Sequence, residues 1–436
     1  MSLDLSLGSQ PQAQAGPRGE ARRPRVAAIV QEYHKGSHAD KFITKLMRGY
    51  ELLWVPRSPS IDITSLFIEH RVPNDVGHAL ADEHGASVAG TIREALTDGT
   101  ELVVDGVVIV GDQHKGGGRP DARDDRGAPI DPRARYFEEV ARAFQDFGRT
   151  VPVFMDKQLG STWEEAKAVY ELARERGIPL MAGSSIPVNF RFPTAQVPMG
   201  ATVQEVVVAS SGSGETNPYH MLEVVESMIE RRQGFESGVS EVTLLTGEQL
   251  WRAWESGGEW SRELQEAAIS LSPHAPEEPK AFFDAHRTVP AAAPEPGRLP
   301  QLASAEEAIL IRYRDGVRMA MLLLNGYMLR RNIAIKLAGV DSPLLTSSPT
   351  GGKIGQQDWT GPMPPAPDHP KSGGWNFDHL CFFVEDFFRT GKPAYPVERT
   401  LLVGGIIDAA LTSRHQGGVP VSTPHLAISY APPGAH

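Results

Sequence analysis

The sequence predicts an α/β protein in which a doubly wound parallel sheet is followed by an α/β domain with a largely antiparallel open sheet. Three observations predict it. Short apolar runs alternate with amphipathic segments through residues 25–190, the pattern of strands and helices that wind a parallel sheet. The stretch VPVFMDKQLGSTWEEAKAVYELARERGIPLMAGSS, residues 151–185, contains a complete strand, loop, helix and second strand. Beyond Arg191 the rhythm changes to longer alternating strands, including a hairpin.

Taken in order, Arg25–Val30 (RVAAIV) is the first buried strand. Ser37 then caps a helix to about Gly49, with Phe42, Ile43, Leu46 and Met47 on one side. Glu51–Pro56 is apolar and leads into a Pro- and Ser-rich bend. Thr64–Ile68 (TSLFI) is the second core strand and ends at Glu69. Asn74 caps a helix through His84, closed by Gly85. A short strand near Ser87 and a helix near Ile92 precede Gly106–Val110 (GVVIV), with Asp112 and His114 just past its end. Lys115–Asp131, rich in Gly, Arg and Asp, reads as a surface loop over the site, with the Asp124-Asp125 pair solvated. A helix follows from about Arg135 to Phe147. The apolar run Val151–Met155 stops at Asp156-Lys157. Ser161 with Glu164 forms a capping-box pattern, Trp163, Ala166, Tyr170 and Ala173 recur at helical spacing, and Gly177 with Pro179 ends the helix.

In the second region Val203–Ala209 is strand-like and Ser211–Glu215 is a flexible turn. Asn217-Pro218 opens a helix through Arg232, which places His220 in its first turn. Trp251, Trp254 and Trp260 read as packing a helix into this domain, or, for one of them, as a platform for a sugar ring. Pro273–Leu302 is a linker or surface excursion rich in Pro and Ala. Glu307–Asn325 is a hairpin turning at Asp315-Gly316, and Asn332–Leu337 and Ala427–Tyr430 are strands. The expected division is a disordered tail at 1–24, a first domain at 25–190 and a second at 191–436.

At 436 residues the chain is long enough for two or three domains with a well-buried core. Its net charge of -11 leaves no basic surplus for phosphate backbones, which argues against a nucleic-acid partner. A lone cysteine, Cys381, excludes an intramolecular disulfide and a cysteine-rich metal site, and fits a reducing cytoplasm. The segment after Arg22-Arg23 is too short for a signal sequence, and no apolar segment spans a bilayer. The expected partner is a small molecule, without nucleic acid or membrane.

Chemistry starts at Lys157. Ligands of open parallel sheets bind beyond the carboxyl ends of the strands, and Asp156-Lys157 lies at one. A solvated loop lysine is the alternative.

These residues resemble the Gfo/Idh/MocA oxidoreductases, a family that includes glucose–fructose oxidoreductase and inositol dehydrogenase. Asp156-Lys157-Gln158 corresponds to its Glu-Lys-Pro, and TWEEAKAVYELARERGIPLMAG and VERTLLVGGIIDAALTSRHQGG resemble the helix and strand that follow and the closing helix. The resemblance implies a Rossmann-like dinucleotide-binding domain at 25–190. It also implies a substrate domain at 191–436 whose open sheet makes a homodimer or homotetramer. It makes Lys157 and His220 catalytic: Lys157 on the reacting oxygen, and His220, with Glu223 three positions on in NPYHMLEVVESMI, as the base that takes a hydroxyl proton. A position near a helix start disfavours the protonated imidazole; a histidine satisfied at a domain interface is the alternative. Arg191, Tyr219 and Glu223 are the expected substrate-binding residues, on a sugar, cyclitol or related polyol, with NAD or NADP as cofactor.

The phosphate loop departs from the pattern. Where such domains carry G-x-G-x-x-G, this chain has Gln31-Glu32-Tyr33-His34-Lys35-Gly36-Ser37-His38. The expected cofactor-binding set is Glu32, Gly36, Ser37, His38, Glu69, Asp112, His114 and Asp156. Lys35 and the helix start would hold an anion, Glu69 a ribose, and Arg57 a 2′-phosphate if it is not merely exposed. His34, His38, Asp40, Asp112 and His114 raise a metal hypothesis, but their spacing matches no metal signature, and none is assigned. Two rivals remain: a lyase or epimerase that retains its NAD, and a non-catalytic partner protein that has lost the cofactor.

Overall fold

The computed structural model describes residues 22–52, 55–111, 122–189, 191, 193–210, 216–271, 305–325, 331–348 and 376–435. Asp112, His114, the turn at 211–215 and the segment 273–302 lie outside them. In chain order the first region contains β1 (Arg25–Val30), α1 (His38–Arg48), a ribbon of β2 (Tyr50–Leu52) and β3 (Val55–Arg57), and β4 (Asp62–Ile68). It continues through α2 (Gly77–His84), β5 (Ser87–Ala89), α3 (Ile92–Leu96), β6 (Gly106–Val110), α4 (Arg133–Asp146), β7 (Val153–Asp156), α5 (Trp163–Glu175) and β8 (Leu180–Gly183).

The six large strands form one parallel sheet in the order β5-β4-β1-β6-β7-β8. The order reverses between β1 and β6, so a crevice opens at the carboxyl ends there. Val26 to Val30 and Val107 to Ile109 are completely buried, as strands covered on both faces require.

The second region contains β9 (Val203–Ser210), α6 (Thr216–Ile229), β10 (Val239–Thr246), α7 (Glu248–Ser256), α8 (Arg262–Ser270), β11 (Ala305–Tyr313), β12 (Arg318–Asn325), β13 (Arg331–Leu337) and β14 (Leu344–Ser348). It ends with α9 (Asn376–Thr390), α10 (Val397–His415) and β15 (Val421–Ser422). Its seven-stranded sheet, β14-β13-β9-β12-β11-β10-β15, is antiparallel except where β12 runs parallel to β9. Alternation along β9 sends Val206 and Val208 into the main core and Val207 and Ala209 to a second cluster with Leu250, Trp254, Trp260 and Leu264. Trp254 and Trp260 are thus core residues of α7 and the approach to α8.

α10 lies between the two sheets, buried on nearly every side, which its apolar composition all around demands. Gly405 lets it approach α5, since a Cβ there would sit 3.0 Å from the Trp163 ring and still closer to Leu426. α9 turns back onto the first region. Phe377, Leu380, Cys381, Val384, Phe387 and Phe388 pack with Phe42, Ile43 and Leu46 of α1, and Lys45 pairs with Asp378 at 2.6 Å. Glu385 accepts from Tyr50 and Ser60 of the first region.

Several local expectations shift by a residue or more. Thr162, not Ser161, caps α5, accepting from Glu165 N–H at 3.2 Å, while Ser161 Oγ accepts from Asp131 N–H at 2.8 Å. The sequence STWEE offers both registers, and burying Trp163 selects the second. Asp75 rather than Asn74 accepts from the start of α2, at His78 N–H, 3.1 Å. α6 begins at Thr216, so His220 is its fifth residue, beyond the first turn. Ala427–Tyr430 is not a strand; only Tyr430 bridges to Glu236. Asp124 is not simply solvated: it accepts from Ala128 and Arg126 N–H and pairs with Arg126.

Leu380 of α9 is fully buried against the first region, so Leu380→Ala is expected to destabilise the protein by about 2–5 kcal/mol in urea unfolding.

Candidate functional site

The site is built where β7 and β8 end side by side. Lys157 follows β7 with its N–H donating to Gly183 O at 3.0 Å, and its side chain is buried. Its φ of 72° is left-handed, a conformation that costs a residue with a Cβ roughly 1–2 kcal/mol. That strain bends the chain so that the lysine leaves the strand end. Ser184, next along β8, has its Oγ 2.7 Å from His220 Nδ1 and accepts from Ile186 N–H at 3.0 Å. The lysine and histidine singled out from sequence are therefore attached to adjacent residues of one strand tip. With its proton on Nδ1, His220 keeps Nε2 as its basic atom.

Gly183 itself has φ 141° and is crowded from one side. A Cβ there would lie 3.0 Å from Thr400 Oγ1, 3.1 Å from Glu223 Oε2 and 3.4 Å from Tyr395 Oη. Thr400 donates within reach of both Ala182 O and Glu223 Oε1, at 2.9 and 2.7 Å. Glu223 is fully buried and also accepts from Tyr219 Oη at 3.1 Å. Burial pushes its carboxyl up to about 7 against the lowering influence of Arg399, Thr400 and Tyr219. Tyr219 and Glu223, expected to contact substrate, thus face each other inside the fold. Arg191 bonds Pro187 O and Gln196, and burial near Arg399 lowers its pKa.

The head of α1 is closed by its own acid. Ser37 Oγ accepts from Asp40 N–H at 3.1 Å, and Asp40 Oδ2 accepts from Gly36 N–H at 2.8 Å, with Lys35 at 3.4 Å. This reciprocal capping occupies donors that a helix start would otherwise offer an anion. Glu32 and His34 are buried within the loop. His38 turns to the strand end instead, with Nδ1 2.7 Å from Asp156 Oδ2, while Asp156 O accepts from Arg133 at 2.8 Å. Glu69, the expected ribose acid, is held by Arg135 at 2.5 Å and Tyr136 at 2.7 Å. Arg57 is exposed. Of the residues weighed as metal ligands, His34 and His38 go different ways and Asp112 and His114 lie outside the described residues, which contain no group of three His, Cys, Asp or Glu placed to hold a metal.

Sequence reasoning passes over Gly183, Ser184, Tyr395 and Thr400. Thr400 and Tyr395 come from the far end of the chain, and no spacing links them to Lys157.

Neither the family models nor the curated protein sequences give a match to this chain. Solved structures do. GenD2 from gentamicin A biosynthesis, crystallised with NAD, is 16% identical over 95% of this chain and 99% of its own, with a TM-score of 0.52. Myo-inositol dehydrogenase from Lactobacillus casei, in complex with NAD(H) and myo-inositol, is 10% identical over 92% of this chain and 97% of its own, with a TM-score of 0.50. The chain shares their fold over that share of its length, the parallel sheet followed by the mixed sheet, as the resemblance in sequence implies. None of the helices among the described residues is long and apolar enough to cross a membrane.

Lys157→Gly is expected to be more stable than Lys157→Ala by about 1 kcal/mol in urea, because only the alanine keeps the left-handed strain.

Proposed function

We propose that the protein is an oxidoreductase acting on a hydroxyl or keto group of a sugar, cyclitol or related polyol, with NAD or NADP as hydride partner. The observation that carries this reading is the attachment of Lys157 and His220 to the adjacent residues Gly183 and Ser184. A fold shared with dehydrogenases crystallised with NAD and with NAD(H) supports the same reading.

The acid–base work follows from the two side chains. The Lys157 ammonium donates to the reacting oxygen and favours negative charge developing there. His220 Nε2 takes the hydroxyl proton in oxidation and returns it in reduction, while Ser184 keeps the ring in place. Buried Asp156 orients His38 beside them.

The head of α1 does not fit the diphosphate that such folds place there, because the Asp40 carboxylate already accepts from Gly36 N–H. This observation favours a second reading, a binding or partner protein without cofactor. Calorimetric titration with both dinucleotides separates the two: binding supports the enzyme, and no binding at millimolar cofactor leaves the partner protein. We also propose a cytoplasmic setting, supported by the single buried thiol of Cys381, and a homodimer or homotetramer, supported by the family resemblance.

Asp40→Asn is expected to tighten dinucleotide binding about tenfold by calorimetry, since it removes a charge that competes with phosphate. With a polyol that turns over, His220→Ala is expected to lower kcat by about two to three orders of magnitude, and Lys157→Ala by a similar factor.

A further inference from the structure

Glu223 lies three residues beyond His220 on α6, and its two oxygens have different surroundings. Oε1 accepts from Tyr219 Oη and Thr400 Oγ1, at 3.1 and 2.7 Å. Oε2 has no hydrogen-bond partner among the described residues and is aimed at the Cα of Gly183. Across that same point stands Tyr395 Oη, likewise buried and without a partner among the described residues. A buried carboxylate with one oxygen unpaired is costly, whereas a neutral acid is tolerated. Because Oε1 already accepts two hydrogen bonds, the acid proton belongs on Oε2, directed toward Tyr395 Oη across the space over Gly183, where one buried water would complete the bridge.

We propose that Glu223 is a positioning residue that, as a neutral acid held between Tyr219, Thr400 and Tyr395, fixes the Gly183–Ser184 tip from which Lys157 and His220 both hang. The consequence for turnover rests on the oxidoreductase reading; the hold on the tip does not. The charged and titratable groups facing Glu223 are Tyr219 from α6, Glu230 just past its end, Arg399 from α10 and Tyr395 from the segment before it. Arg399 is engaged by Glu230 through two hydrogen bonds of 2.8 and 2.6 Å, so it is not a dedicated counter-ion for Glu223.

Burial moves the Glu223 carboxyl from its ordinary 4.5 up to about 7. The folded state therefore binds a proton that the unfolded chain has already lost over that window. Stability supplied by the neutral acid is full below it and declines as pH rises through it. Above it, the new carboxylate disturbs the tip.

Amide exchange tests this, because the Lys157 N–H is bonded to Gly183 O. Protection of that amide is compared in the wild type, Glu223→Gln and Glu223→Ala at about pH 5.5 and about pH 8.5, each normalised for intrinsic exchange. Glutamine keeps the accepting oxygen and supplies a donor that cannot ionise. The expected result is equal protection in wild type and Glu223→Gln at the lower pH. At the higher pH, protection falls at least tenfold in the wild type alone. Glu223→Ala should be poorly protected at both. Wild-type protection that does not fall, an equal fall in Glu223→Gln, or full protection in Glu223→Ala would each overturn the proposal. In turnover, Glu223→Gln should flatten the alkaline limb of the kcat profile while leaving the acid limb. If neither cofactor supports turnover of any polyol but the exchange pattern holds, the positioning role stands and the oxidoreductase reading falls.

Discussion

Everything at the site depends on how the last parallel strand stops. β8 ends in a glycine at φ 141° whose bare Cα is approached by a threonine from α10, a glutamate from α6 and a tyrosine from the segment before α10. A Cβ there would press on all three, and the two contacts that follow are the Gly183 carbonyl receiving the Lys157 N–H and the Ser184 hydroxyl meeting His220. The first sheet supplies the lysine, the second region supplies the histidine, and this two-residue tip fixes the one against the other. A small displacement of the tip moves both, which is why the buried polar groups packed against it matter.

The interior around α6 is unusual in its acidity. Glu223 and Glu226 lie on its buried side, and Glu230 and Glu236, just beyond its end, are buried too. Two guanidinium groups answer them: Arg232 holds Glu236 and Asp315, and Arg399 holds Glu230. The Arg232–Glu236 and Arg399–Glu230 pairs have the bidentate geometry that offsets the cost of burying charge, and Arg232 reaches Asp315 through one further bond. Glu223 and Glu226 are pushed upward by burial, and Glu226 accepts from the Tyr313 hydroxyl. Charge in this seam is balanced partly by counter-ions and partly by protons.

Much of the fold was legible because buried parallel strands leave continuous apolar runs; RVAAIV, GVVIV and VPVFM mark the centre of the first sheet. The cap positions were less so. STWEE and the Asn74-Asp75 pair each contain two competent capping residues, and only the burial of Trp163 or the pairing of Asp75 with His78 decides between them. Lys157 was legible because a charge ending an apolar run is a local signal. The capping box at α1 was equally local, in Ser37 and Asp40, but its meaning for an anion emerges only with the Gly36 N–H bonded to Asp40. The inward turn of Glu223 had no local signal at all. His220-x-x-Glu223 looks like a pair on one face, and it is α10, far along the chain, that closes over the glutamate.

α9 carries a clear helical period in Phe377, Leu380, Cys381, Val384, Phe387 and Phe388, yet nothing in that period says that its partner is α1. The ion pair between Lys45 and Asp378 closes a separation of 333 residues. During synthesis the outer face of α1 therefore stays uncovered until α9, 333 positions further along at that ion pair, has emerged. Contacts of such long range are slow to form, and the apolar surface they will cover is open to aggregation in the meantime. Closing this side of the first sheet is consequently a late step, set by the arrival of α9 rather than by the folding of α1 itself.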